Sequence, residues 1–270
     1  KFRYKKIKFG FDLSHFALWH FFYENLHMHF NIFIDKPIYN NGNIFFLPEC
    51  YKSKLSIEEI IYFAPRTINI NHLISKNGNA IDEIENMMCK IRNKYSNFYK
   101  IEMLKKANKN YELTIWISLV WRNGQKKTWL NQFDSICNVL KELNRYFGKI
   151  RILIDGYKDF ENYTESVCGV KKHVISLQNI DRIISDFRKL IEPYVEEIIV
   201  LNGYIVKEAM QYCFLSDISI SEAASGAIIP TSICKISSIL YGRKEYVNFC
   251  NKILPNNYKV VEDQYIYLKE

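Results

Sequence analysis

Two clusters of residue types could carry chemistry in this chain. The segment Glu222-Ala-Ala-Ser-Gly-Ala227 joins an acidic residue to a run of small ones. Small side chains let backbone N–H groups approach a ligand, and the amides of Ser225, Gly226 and Ala227 at a helix start suit a phosphate. Glu222, at a strand end, could accept hydrogen bonds from ribose or sugar hydroxyls. A tight turn would need the same small residues. The second cluster lies in Ser14–Leu26, where His20 and Glu24 are four residues apart and share a helical face, with His15 turned away. A His–Glu pair at that spacing can act as an oriented general base or form a plain surface hydrogen bond.

Two further segments could hold an anionic ligand. The loop Arg122-Asn-Gly-Gln-Lys-Lys127 is basic, and Arg122 and Lys127 can neutralise a diphosphate. Solvated loop charge is the alternative. Asp155-Gly156 ends an apolar run, and an Asp there either binds ribose hydroxyls or closes an Asx-turn.

These residues need a scaffold, and residues 112–242 predict one. Strands are expected at Glu112–Leu119, Ile150–Ile154, Glu197–Leu201 and Ile218–Ser221. Between them lie helical patterns. Thr128 can cap a helix with Trp129, Phe133, Ile136, Leu140, Leu143 and Phe147 on one face, and Gly148 stands at its C′ position. Further helices are expected at Asn179–Ile191, stopped by Pro193, at Ile205–Leu215 and at Thr231–Leu240. Strands alternating with such helices imply right-handed crossovers and a parallel sheet. The expected class is α/β, with a Rossmann-like domain over 111–270 and a smaller, less regular α/β domain over 1–110. In the latter, strands are expected at Lys6–Phe11, Asn31–Ile34 and Ile44–Leu47. The turn Asn40-Asn-Gly-Asn43 precedes the third, one or two helices fill Ala80–Lys106, and Ala107–Tyr111 is the linker.

Composition narrows the function classes. The 270 residues are 48% hydrophobic and 15% aromatic, enough for a real core. No run of about 18 apolar residues is present, and no apolar segment follows Lys1–Lys6 as in a signal peptide. The chain begins without Met, as a piece of a longer protein would. Seven scattered Cys without a CxxC read as reduced thiols of a cytosolic protein, with no metal site expected. The net charge of +8 suits an anionic small ligand, an anionic surface or general solubility. Lys1–Phe11 interleaves basic and aromatic residues and could touch an anionic membrane at the inner face, though an ordinary strand is the plainer reading. No RRM, KH or helix-turn-helix pattern supports nucleic-acid binding. GxSxG, P-loop, HExxH and GxGxxG signatures are absent.

Ile115-Trp-Ile-Ser-Leu119, Trp129-Leu-Asn-Gln132 and Ile152-Leu-Ile-Asp-Gly156 together resemble the strand, W-x-N-Q helix and strand of GT-B-type glycosyltransferases of bacterial surface-polysaccharide biosynthesis. Leu215-Ser-Asp-Ile-Ser-Ile-Ser-Glu-Ala-Ala-Ser-Gly226 resembles the donor-diphosphate segment of heptosyltransferase-like and fucosyltransferase-like members. Where those enzymes carry Asp before Ser/Thr-Gly, this chain has Ala224. Ser14–Leu26 also looks like an H-x-x-x-W-N-E-L helix of such proteins, with the order altered. The resemblance covers about 130 residues. It implies a GT-B-like fold and a transferase moving sugar from a nucleotide sugar to a glycan or lipid-linked acceptor in capsule or lipopolysaccharide biosynthesis. It carries donor binding onto Glu222, Ser225 and Gly226. In an inverting enzyme His20, His15 or Glu24 would take the proton, and no metal or other cofactor would be needed. Rival readings are a nucleotide-sugar epimerase, a non-catalytic carbohydrate- or partner-binding domain of a larger assembly protein, and a basic nucleic-acid binder.

Overall fold

The computed structural model describes residues 8–12, 38–39, 60–63, 78–96, 110–119, 131–159, 170–223, 225–242 and 258–260. The chain divides into two compact units, Lys1–Cys89 with Phe160–Tyr163, and Lys90–Asp159 with Thr164–Glu270. In the first, β1 (Lys8–Asp12) pairs in parallel with β2 (Ile38–Tyr39) on one side and β3 (Ile60–Phe63) on the other. β1 falls where a strand was expected; β2 and β3 fall where none was. The helix and strands expected over residues 14–34 and 44–47 lie outside the described residues. Helix α1 (Gly78–Ser96) buries Ile84, Met87, Met88 and Ile91. Their spacing makes one stripe of a 3.6-residue period.

The second unit holds a six-stranded parallel sheet in the order β6-β5-β4-β7-β8-β9. Its strands are β4 (Leu113–Ser118), β5 (Ile150–Asp155), β6 (Glu197–Val200), β7 (Ile218–Glu222), β8 (Ser237–Tyr241) and β9 (Tyr258–Val260). β5 and β6 are added on one side of β4, then β7, β8 and β9 on the other. This is the order of a Rossmann-like sheet, and it reverses between β4 and β7.

Helices α2 (Gln132–Leu143) and α3 (Val170–Ile191) cover one face. Ile115, Ile117, Ile152, Ile154 and Ile220 point there and close a core with Ile136, Leu140, Ile180, Ile184 and Phe187. Phe133 and Phe187 pack tilted at 5.1 Å between centroids. Alternation sends Trp116, Leu153 and Ser219 to the other face. There the buried side of α4 (Val206–Cys213) supplies Ala209, Met210 and Cys213. Burial on both faces explains why β4 and β5 are almost uninterrupted apolar runs. The starts of β4 and β7 are clamped together. Thr114 N donates to Asp217 Oδ2 at 2.7 Å, and Asp217 N donates to Thr114 O at 2.9 Å.

Four local expectations need correction. The first helix starts at Gln132 with Asn131 as N-cap, not at Thr128, and Asn131 makes no side-chain cap. It ends at Leu143 with Asn144 as C-cap, so Gly148 is not its C′ residue; Gly148 N donates instead to Glu112 Oε2 at 2.7 Å. α3 begins at Val170, nine residues earlier than expected. Thr231–Leu240 is not a helix. A short α-helical turn, α5 (Ser225–Ala227), widens into a π-helix over Ile228–Ile233, and β8 follows. Pro230 sits inside that segment, where it lacks a donor and its ring crowds the preceding turn. The chain adopts the longer bond instead, Cys234 N to Ile229 O at 2.9 Å. Lys235 then takes a left-handed conformation, φ 59°, which ends the helix and turns Ser237-Ser-Ile-Leu-Tyr241 into the sheet.

Candidate functional site

The reversal of strand order puts a crevice at the C-terminal ends of β4 and β7, because the chain leaves these two neighbours in opposite directions. In open α/β sheets this is where ligands lie. Ser118 ends β4 and Glu222 ends β7. Two helical segments begin nearby in sequence, α2 after the β4 loop and α5 after the β7 loop.

Gly226 makes the close fit. A Cβ in place of its hydrogen would collide with Ser118 Oγ and stand 3.2 Å from Ser118 Cβ. Only glycine lets the first turn after β7 come this near to the end of β4. Within the small-residue run after Glu222, Gly226 therefore has a steric reason to be glycine. Ser225 is half-buried beside it.

Glu222 is buried at 8% exposure and stands in register with Tyr241 of β8. Tyr241 Oη donates across the crevice to Ser118 O at 2.5 Å and faces Gln132 Oε1 at 2.9 Å. One phenol thus ties β8 to the last peptide of β4 and to the first turn of α2. Burial, reinforced by the Glu222 carboxylate, pushes the Tyr241 pKa well above its ordinary value, so Tyr241 is a donor here. Neither Tyr241 nor its contact with Gln132 was anticipated; Tyr241 fell just past an expected helix.

Asp155 and Gly156 lie at the end of β5, one strand away. The Asp155 carboxylate is paired with Lys158 Nζ, an ion pair between two nearly buried side chains. The pair engages one carboxylate oxygen, Asp155 Oδ1. Gly156 is required by Asn202, since a Cβ would lie 2.5 Å from Asn202 Oδ1. Asn202 is a structural hub. Its Oδ1 accepts from Tyr157 N at 2.9 Å, and its Nδ2 donates to Leu177 O at 3.1 Å and Asp181 Oδ1 at 2.8 Å. That arrangement fastens the turn after β5 to α3.

Of the sequence-derived candidates, the structure brings Glu222, Ser225 and Gly226 to the crevice and sets Asp155 and Gly156 on the adjacent strand end. Arg122 and Lys127 lie outside the described residues, as do His15, His20 and Glu24. Among the described residues, no group of three or more His, Cys, Asp or Glu could hold a metal ion, and no helix is long and apolar enough to cross a membrane. No family model matches the chain, and neither does a curated protein or a solved structure.

Proposed function

We propose that the chain is a GT-B-like glycosyltransferase that binds a nucleotide sugar in the β4/β7 crevice. The observation that carries this reading is the strand-order reversal with Gly226 pressed against Ser118 and Glu222 at the adjoining strand end. Backbone amides of Ser225–Ala227 would meet the donor diphosphate, with Arg122 and Lys127 adding charge. Glu222 would take sugar or ribose hydroxyls. The acceptor, a glycan or lipid-linked glycan in capsule or lipopolysaccharide biosynthesis, would present its hydroxyl in line with the anomeric carbon. His20, His15 or Glu24 would remove its proton if the reaction inverts. Fixed amides and basic side chains would stabilise the leaving diphosphate without metal or other cofactor. Such an enzyme would work in the cytoplasm, peripherally at an anionic inner-membrane surface where its acceptor is lipid-linked.

Thermal stabilisation against UDP, GDP, CMP, ADP and their common sugar conjugates tests this. A ligand that binds only the native state adds about 2.7 kcal/mol at one hundred times its Kd. The expected result is stabilisation by one nucleotide family, lost in Lys127→Ala. No shift with any nucleotide would overturn donor binding, and binding without turnover would favour a non-catalytic carbohydrate- or partner-binding domain.

A further inference from the structure

Cys213 is the last residue of α4, and Cys234 caps the π-helix over Ile228–Ile233. Cys234 Sγ donates to Met210 O at 3.9 Å, so it sits against the last turn of α4, the turn that also carries Cys213. The two thiols lie within hydrogen-bonding reach of each other. The backbone fixes Cys234 in this place. Its N–H donates to Ile229 O at 2.9 Å across the widened π-turn, and the next residue, Lys235, is left-handed at φ 59°. Cys213 is fully buried and Cys234 is 6% exposed. Cys89 and Cys137 are less buried than either. Between the two thiols the chain runs through β7 and Glu222–Ala227.

We propose that Cys213 and Cys234 form a redox-sensitive staple, a dithiol that a hydroperoxide converts to a disulfide between α4 and the π-helix. Transient disulfides of this kind are the ones a reducing compartment admits. Cys234, the thiol that reaches solvent, reacts first. With hydrogen peroxide, its sulfur attacks one peroxide oxygen, the O–O bond breaks, and a sulfenic acid and one water form. The Cys213 sulfur then attacks the sulfenic sulfur. The S–S bond forms, the S–O bond breaks, and the departing hydroxide takes the Cys213 proton as a second water. The two thiols together lose two electrons, and one peroxide gains them. Burial holds the Cys213 thiol well above its ordinary pKa, the contact with Cys234 adds to this, and Lys158 acts the other way. Cys213 is therefore the poorer first nucleophile and acts only on a sulfur already beside it. The closed bond ties together both ends of the segment that carries β7 and Glu222–Ala227, so oxidation stiffens one flank of the crevice.

Nucleotide binding plays no part in this inference. The test treats the native full chain with hydrogen peroxide, alkylates the remaining thiols in urea and maps the unreduced peptides by mass spectrometry. The Cys213–Cys234 link should be the most abundant disulfide, although Cys89 and Cys137 are more accessible. It should form at a rate unaffected by protein dilution and disappear with dithiothreitol. Amide hydrogen exchange over residues 225–236 should slow in the oxidised chain and recover on reduction. Recovery of both cysteines in alkylated form would overturn the proposal, as would Cys234 oxidised to sulfinic acid beside a free Cys213. A linked pair with unchanged exchange would also overturn it, because the bond would then restrain nothing. Every readout is on the unaltered chain, so none depends on a variant folding.

Discussion

Gly226 and Ser118 approach each other more closely than any residue with a Cβ at position 226 would allow. The contact joins the end of β4 to the first turn after β7. Gly226→Ala should therefore force a backbone shift and cost about 1–3 kcal/mol, the range for overpacking a tight site. Removing the obstructing hydroxyl should return part of that loss. In a double-mutant cycle with Ser118→Ala, urea midpoints should show a favourable coupling. Additive effects would mean that the contact is not what demands glycine.

Tyr241→Phe removes the hydroxyl that Ser118 O and Gln132 share. The expected cost is about 1–3 kcal/mol, because the freed Ser118 carbonyl and Gln132 side chain lie in a buried setting. Hydrogen exchange at the start of α2 should quicken in the same variant, since the phenol holds that turn to the sheet. Unchanged exchange there would contradict the bracing role.

The pH dependence follows from Lys158. Its folded pKa of about 7 lies below the ordinary value of 10.5, so between these pH values the unfolded chain holds the extra proton. Stability contributed through this group is lowest below pH 7 and rises with pH across that window. Comparing urea midpoints of the chain and of Lys158→Met at pH 6.5, 8 and 9 isolates it. The native chain should gain on the variant as pH rises; a constant difference would show that the ammonium persists.

Ser216→Ala tests a different kind of cost. Ser216 Oγ is buried without a partner among the described residues. Removing an unsatisfied hydroxyl should be neutral or stabilising by up to about 1 kcal/mol. A loss beyond that would reveal a hydrogen bond.

Asn202→Ala removes three hydrogen bonds, one to the turn after β5 and two to α3. It should destabilise by about 2–4 kcal/mol, more than a surface asparagine does. Chemical denaturation measures this directly, and a loss under about 0.5 kcal/mol would mean that the turn is held by other contacts.

β4 and β5 are legible as short apolar runs between helical patterns, produced by burial on two faces, whereas β6 is a half-buried apolar run and β7 an alternation of Ile and Ser between helical patterns. β8 was not legible. Ser237–Tyr241 is five residues long and follows Pro230 and Lys235, whose π-helix and left-handed turn leave no periodic trace. The order of the strands was also beyond local reading. That β7 lies beside β4 and not beyond β6 depends on pairing between segments far apart in sequence. The site divides in the same way. Glu222, Ser225 and Gly226 announce themselves by type and spacing, and they reach the crevice. Tyr241 and Asn202 carry no local signal, since their roles come from partners as much as 123 residues away, and Gln132 stands in the W-x-N-Q segment without revealing its contact with Tyr241. Lys158 looks like any loop lysine until Trp116 and Cys213 surround it. Asp155 suits a ribose ligand or a turn former by its type, and its ion pair with a cation three residues downstream has no pattern that marks it in the sequence.

The pairing of β4 with β7 spans 103 residues at the Thr114–Asp217 clamp. Closing so large a loop carries an entropic penalty that no contact repays until both strands are in place. β4 with β5 and its covering helices can assemble first, and β7 then closes onto the exposed flank of β4. The crevice at the ends of β4 and β7 therefore exists only once this long-range pairing is made. A ligand of that crevice would act on the rate of unfolding and leave early assembly untouched.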